Sequence, residues 1–410
     1  MRVLIISQFF PYPPYNGGRM RIYQLLSGLA ARHEVHLLTF SHDQKDAEYL
    51  GNLSGICAGV NMVSQKRAPA LSARSILGYL SPAPRSYVAD WSPEMQRLVD
   101  ELTRELDFDA ALVCGLRNAG YVSRLDRVAK LLDNENCDTA FAVRLAEIGG
   151  TPIRRFRRRL TSMKSEMYER KLASQFDAVL AVSDDDKNAI ARIAPALADR
   201  DAIHVIPNGT DLALLDFRGP DVDMKKILSP GALTYSANYD AAVFFSEQVF
   251  PLIKRKTPEA RFVITGGTNG VDLAPFQDVE GLTLTGYLDD VRPEVASSAV
   301  VVVPARIGGG TRLKILEAMA LGVPVVATTF GAMGLDGVNG EHLFITDDPT
   351  EFAEHVLLLM EDLDLRRRMT SAARSFVSER FGWDSISARL NGILESTVKT
   401  IKDTEQCAKA

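Results

Sequence analysis

The chain has 410 residues, 46% of them hydrophobic and 24% charged, with a net charge of −5. That length suits two domains with sizeable cores, and the acidic balance argues against a nucleic-acid binder, whose domains carry a basic surplus. Four cysteines, Cys57, Cys114, Cys137 and Cys407, form no C-x-x-C pair and have no histidine at metal spacing, so they read as reduced thiols.

The chain opens on VLIIS (3–7), an apolar run too short for a secretory signal and followed by no small-residue cleavage site. It predicts a first buried strand and a cytoplasmic protein, since no run approaches the ~18 apolar residues of a membrane span. Strand-like runs follow at EVHLLTF (34–40), ALVCG (111–115), AKLLD (129–133), AVLAVS (178–183) and AIHVIP (202–207). Helix-length segments such as 18–32 and 92–106 separate them. In 153–175, Ile153, Phe156, Leu160, Met163 and Met167 share one side of a helix, beside Arg154, Arg155, Arg157, Arg158, Arg159 and Lys164. Two readings are open for it: a packed helix with a solvated basic face, or contact with an anionic membrane or a lipid-pyrophosphate acceptor.

The rhythm pauses in the Pro-, Gly- and Asp-rich stretch PNGTDLALLDFRGPD. It restarts at KILSPGAL (226–233), RFVITGG (261–267), LTLTGYL (282–288), AVVVVPA (299–305), PVVAT (324–328) and EHLFIT (341–346). Such βαβα alternation predicts an α/β protein of two Rossmann-like domains. The expected boundaries are 1–207 for the first, 208–221 for a linker, 222–376 for the second, and 377–402 for a last helix packing back on the first. Ligands of open α/β sheets lie beyond the carboxyl ends of the strands, so two facing domains would form a cleft with the chemistry in the loops after strands.

The strongest such loop is AVVVVPARIGGGTRLKILEAMALGVPVVATTFGAMGL, beginning at Ala299. Its strand ends at Pro304, three glycines (308–310) allow close approach of a ligand, and a helix is expected from 311 to 321. Free amides at a helix start favour an anion. Arg312 and Lys314 stand where the helix dipole disfavours cations by about 0.3–1 kcal/mol each, a sign that a diphosphate would reverse. Glu317, embedded in ILEAMAL, needs polar partners, and ribose hydroxyls would serve.

This segment resembles the nucleotide-sugar site of GT-B glycosyltransferases of family four, in the GGGTRLKILEAMA variant associated with exopolysaccharide and lipid-linked glycan synthesis. The resemblance implies a GT-B fold, with Glu317 on the donor ribose and Gly310, Thr311, Arg312, Leu313 and Lys314 at the diphosphate. FFPYPPYNGGRMRIYQLL is similar to the family's opening, where Gly17 and Gly18 match glycines that face donor and acceptor. VIPNGTD (205–211) resembles the segment closing the first domain. In LTLTGYLDD, Gly286, Tyr287 and Leu288 would neighbour the base, and GAMGL (331–335) would line the donor pocket. Two departures stand out. The family's second Glu is replaced by Gly309, and 230–245 lacks the Lys or Arg that many relatives direct at the phosphates, leaving that charge to Arg312 and Lys314.

Asp133, in DNENCD at the end of a strand, resembles a DN-x-D segment of the subgroup and is the candidate catalytic acid or base; helix capping or turn chemistry is the competing reading. The position of a sugar-contacting His in some relatives holds Arg117 and Asn118. Together the resemblance implies a bacterial polysaccharide-synthesis enzyme, cytoplasmic or peripheral to the inner face of the plasma membrane. It would move a sugar from a UDP- or GDP-type donor to a glycan, lipid-linked or small-molecule acceptor, with retention and with no metal or other cofactor. A sugar-nucleotide epimerase of the same fold and a catalytically silent partner subunit are the alternatives. A dehydrogenase and a P-loop NTPase are excluded by missing G-x-G-x-x-G and G-x-x-x-x-G-K-[ST] motifs.

Overall fold

Strands joined by crossovers of a dozen or more residues pair in parallel. In a computed structural model describing residues 1–65, 81–135, 137, 139, 143, 152–307 and 312–409, the protein forms two such sheets. Each lies in its own unit: Met1–Pro207 with the chain from Asp384, and Asn208–Trp383.

The first unit contains β1 (Arg2–Ser7), β2 (Glu34–Ser41), β3 (Gly59–Ser64), β4 (Ala110–Cys114), β5 (Ala129–Asn134), β6 (Ala178–Ala181) and β7 (Ile203–Val205). Among the described residues they are ordered β3-β2-β1-β4-β5-β6-β7, all parallel. β1 is central: Ile5 pairs with Leu37 on one side and Leu112 on the other. Its Leu4 and Ile6 enter a core with Val113, Leu132, Val179 and Ile190. Strand β3 was not expected, because GVNMVS is a largely half-buried edge strand and lacks a continuous apolar run.

The second unit contains β8 (Asp223–Pro230), β9 (Arg261–Thr265), β10 (Leu282–Gly286), β11 (Ser298–Val303), β12 (Val325–Ala327) and β13 (Phe344–Ile345), ordered β10-β9-β8-β11-β12-β13 and parallel. β11 shows why its sequence is an unbroken β-branched run. Val300 and Val302 pack into one core cluster and Val301 and Val303 into another, so both faces are covered. Two Rossmann-like units result.

The stretch expected as a linker is partly structured. Thr210 bridges to Gly382, and Leu212, Leu214 and Leu215 pack on the second unit's core. The last helix, Trp383–Lys409, buries Ile386, Leu390, Leu394 and Val398 at four-residue spacing. It crosses the first helix, Gly17–Ala30, closely: a Cβ on Gly28 would lie 2.2 Å from Ser387 Oγ. Asn391 Nδ2 donates to the Gly28 carbonyl at 3.1 Å, and Lys402 pairs with Asp109 at 2.6 Å.

The helix Pro152–Ala173 departs from the packed reading of its apolar stripe. Phe156, Leu160, Met163 and Met167 are exposed, while Ser165, Glu169 and Leu172 are buried. Its inward contacts are mixed: Leu172 and Ala173 join the first unit's core, and Glu169 accepts from Asn134 Nδ2 at 2.9 Å and from the Thr139 amide at 3.0 Å.

Candidate functional site

Strand order reverses between β1 and β4 in the first sheet and between β8 and β11 in the second. A crevice opens where neighbouring strands send their connections to opposite faces. In the second unit Arg312, Lys314 and Glu317 lie beside that point.

β8 ends at Pro230 and turns at Gly231, whose φ of 129° is a conformation that L side chains rarely adopt. A Cβ there would lie 2.7 Å from Asn238 Nδ2 and 2.8 Å from Lys314 Nζ. The next helix, Ser236–Phe244, carries Asn238, which donates to the Ala232 carbonyl at 2.9 Å and accepts from Lys314 Nζ at 2.9 Å. Asn238 thus fixes the turn after β8 and the Lys314 ammonium together. It lies in the very segment that lacks the cation seen in many relatives.

From the other side, β11 runs into Pro304, Ala305 and Arg306. Arg306 grips Asp240 through two hydrogen bonds of 3.0 and 2.7 Å, and its guanidinium lies 4.7 Å from the Phe244 ring centroid. Gly310 and Thr311 lie outside the described residues, as do Gly308 and Gly309. The chain is described again at Arg312, and the helix runs Leu313–Ala320 with no acid in its first turn.

Arg312 and Lys314 line one small concavity with Ser229, Tyr235, Asn238 and Pro304. Arg312 is half-buried, its guanidinium 5.3 Å from the Phe330 ring centroid. Burial and the nearby Arg312 charge pull the Lys314 ammonium down to about 8, partly offset by Glu317. Burial likewise raises the Glu317 carboxyl, with Lys314 opposing. The Lys314 ammonium and the Glu317 carboxyl are therefore held, beside Arg312, in a weakly solvated place where their charges are costly. A multivalent anion would relieve that cost. Leu313 is half-buried against the same unit's core. Gly286 ends β10 at φ 71°, Tyr287 beyond it is 69% exposed, and Leu288 is half-buried.

In the first unit, Gly17 and Gly18 are the first residues of the helix Gly17–Ala30 rather than of a loop before it, with Asn16 as its cap accepting from the Arg19 amide at 3.0 Å. Asp133 is fully engaged at the end of β5. Arg21 Nη2 reaches its Oδ1 at 2.6 Å and Nε reaches both oxygens, while the same guanidinium donates to the Ile206 carbonyl at 2.9 Å and that of Pro207 at 3.2 Å. Both side chains are 1% exposed. A carboxylate so held ties the first helix to the ends of β5 and β7, which suits positioning better than proton transfer. Cys114 beside it is an inert thiol, pushed up by burial and then by the Asp133 and Glu135 charges.

Sequence reasoning missed Arg21, Glu169, Asn238 and the Arg306–Asp240 pair. Arg21 carried a signal, since it adjoins the buried Ile22, Leu25, Leu26 and Leu29 of its helix and a cation there needs a buried partner. Asn238 and Asp240 gave none, because their partners lie 76 and 66 residues away.

A family model described as Glycosyl transferases group 1 matches residues 224–362, and one described as Glycosyltransferase Family 4 matches residues 15–214. The chain is 21% identical over 391 residues to an uncharacterized 44.6 kDa protein in the cps region of Klebsiella pneumoniae, spanning 93% of this chain and 96% of that one. It is 29% identical over 261 residues to D-inositol 3-phosphate glycosyltransferase of Xylanimonas cellulosilytica, spanning 56% of this chain and 60% of that protein. Among solved structures, HepE of Anabaena in complex with UDP and glucose superposes with a TM-score of 0.65 at 17% identity, covering 97% of this chain and 100% of that one. Sucrose-phosphate synthase of Thermosynechococcus elongatus reaches 0.71 at 15% identity, covering 98% and 100%. At such identities the structural likeness speaks to the fold.

Proposed function

We propose that the chain is a glycosyltransferase acting on a nucleotide-diphosphate-sugar donor, a reading supported by the two family models and the two-unit fold, and that the second unit's switch point holds the donor. The observation that carries this is the pairing of Lys314 with Asn238 in one concavity with Arg312. Lys314 and Arg312 take the diphosphate, with the Leu313 amide beside them, and Glu317 takes the ribose; Gly310 and Thr311 stay diphosphate contacts on the resemblance alone. Gly286 and Leu288 flank the base. Gly17 and Gly18 remain donor contacts on the resemblance alone.

As the anomeric bond breaks, negative charge builds on the departing phosphate. Cations already desolvated and fixed beside that oxygen stabilise the transition state more than they would in water. This supports transfer without a metal, and the resemblance supports retention. The donor base is proposed to be uracil, in keeping with the UDP in the HepE complex. The acceptor is proposed to be a glycan or lipid-linked glycan, in keeping with the cps-region relative. Among the described residues no helix is long and apolar enough to cross a membrane, and the reaction is proposed for the cytoplasmic side.

Calorimetric titration with UDP and GDP tests the reading. UDP should bind, and Arg312→Ala and Lys314→Ala should each weaken it severely. Unchanged affinity in both variants would remove the phosphate assignment.

A further inference from the structure

The helix Pro152–Ala173 is held by the side that carries Ser165, Glu169 and Leu172 and shows its apolar stripe to solvent. Phe156 is 70% exposed, Leu160 43%, Met163 59% and Met167 62%. At about 100° per residue these four fall within one narrow sector, with Arg159 and Arg170 along one flank and Arg157 and Lys164 along the other. Between Arg155 and Ala173 stand seven cationic side chains against two acids, in a chain whose net charge is −5. One of those acids, Glu169, is buried, and the other, Glu166, pairs with Arg170 at 2.8 Å.

We propose that this stripe is the surface by which the protein docks on an anionic lipid bilayer. The helix lies flat among the headgroups, with Phe156, Leu160, Met163 and Met167 dipping to the acyl boundary and the flanking cations on lipid phosphates. Charge chooses this occupant over the others. A second copy would set one strongly cationic face against another. A nucleic acid would meet the cations but leave four apolar side chains at the centre of the contact. Docking stands independently of the donor site; only its use, bringing the enzyme to a lipid-linked acceptor, rests on the function proposed above.

The test is co-sedimentation of the full chain with phosphatidylcholine vesicles, with and without phosphatidylglycerol, at low and high salt. Binding should require phosphatidylglycerol, fall with salt, and weaken by about fivefold for each cation neutralised in Arg157→Gln and Arg159→Gln. Phe156→Ser/Met163→Ser/Met167→Ser should abolish it while keeping the wild-type thermal shift with UDP, which separates loss of docking from loss of fold or donor site. Equal binding to neutral and anionic vesicles, or binding to neither, overturns the proposal. So does concentration-dependent self-association that the triple variant removes, which would give the stripe to a second copy.

Discussion

Lys314 offers the sharpest test, because its charge is both weakened and needed. Its ammonium titrates at about 8, lowered first by burial and then by Arg312. At pH 7 roughly nine-tenths of the unliganded protein carries the charge, and at pH 9 roughly one-tenth does. A bound diphosphate stabilises the ammonium and raises its pKa, so binding at pH 9 must first take up a proton. UDP affinity should therefore fall about tenfold from pH 7 to pH 9, a range over which the diphosphate's own ionisation changes little. Lys314→Gln should weaken binding at pH 7 by about 10- to 100-fold, the worth of one charge-assisted hydrogen bond. Its affinity should then hardly change with pH. Calorimetry on both proteins at both values reads all four numbers. A wild type whose affinity is flat across the range, or a variant that keeps the wild-type slope, would refute the argument.

The same lysine makes a prediction for stability without nucleotide. Its folded pKa lies below the ordinary 10.5, so between about 8 and 10.5 the unfolded chain binds more protons and the group's contribution improves as pH rises. Lys314→Met should accordingly be more stable than the wild type at pH 7, by an advantage that shrinks above pH 8 in urea titrations. Glu317→Gln should weaken UDP by about tenfold or more yet leave inhibition by inorganic pyrophosphate unchanged, which competition assays would show. Asp133→Asn breaks a fully buried ion pair and should cost about 3–5 kcal/mol in denaturant unfolding; an unchanged stability with collapsed turnover would restore Asp133 as a catalytic group. Gly231→Ala, strained at φ 129° and crowding both Asn238 and Lys314, should lose about 1–3 kcal/mol and weaken UDP together.

Much of the fold was legible because both sheets are covered on both faces. Runs such as VLIIS and AVVVV have no reason to be apolar throughout unless helices lie above and below. The edge strand β3 escaped for the converse reason. In the site, Arg312, Lys314 and Glu317 stood out because a cation at a helix start and an acid in an apolar run are each unfavourable alone. The groups that organise them were not visible. Asn238 is an unremarkable residue in a small polar segment until folding brings Lys314 to it. Asp133 invited a chemical role by its place after β5, and nothing in DNENCD hints that Arg21, 112 residues earlier, closes on it. The stripe of the helix Pro152–Ala173 was read correctly as a stripe, but periodicity alone cannot say which way it faces; the buried Glu169 decides that.

The crossing of Gly28 with Ser387 bears on how the protein is made and dissected. A ribosome finishes every residue of the first sheet long before it reaches the helix that caps Gly17–Ala30, so the amino-terminal half waits with the Gly28 side of that helix uncovered until the whole second unit has been synthesised. Cutting the gene near residue 207 would yield a first fragment lacking its final layer and prone to aggregate. Supplying 384–409 as a separate peptide, or joining it through a short linker to Pro207, should rescue that fragment's solubility.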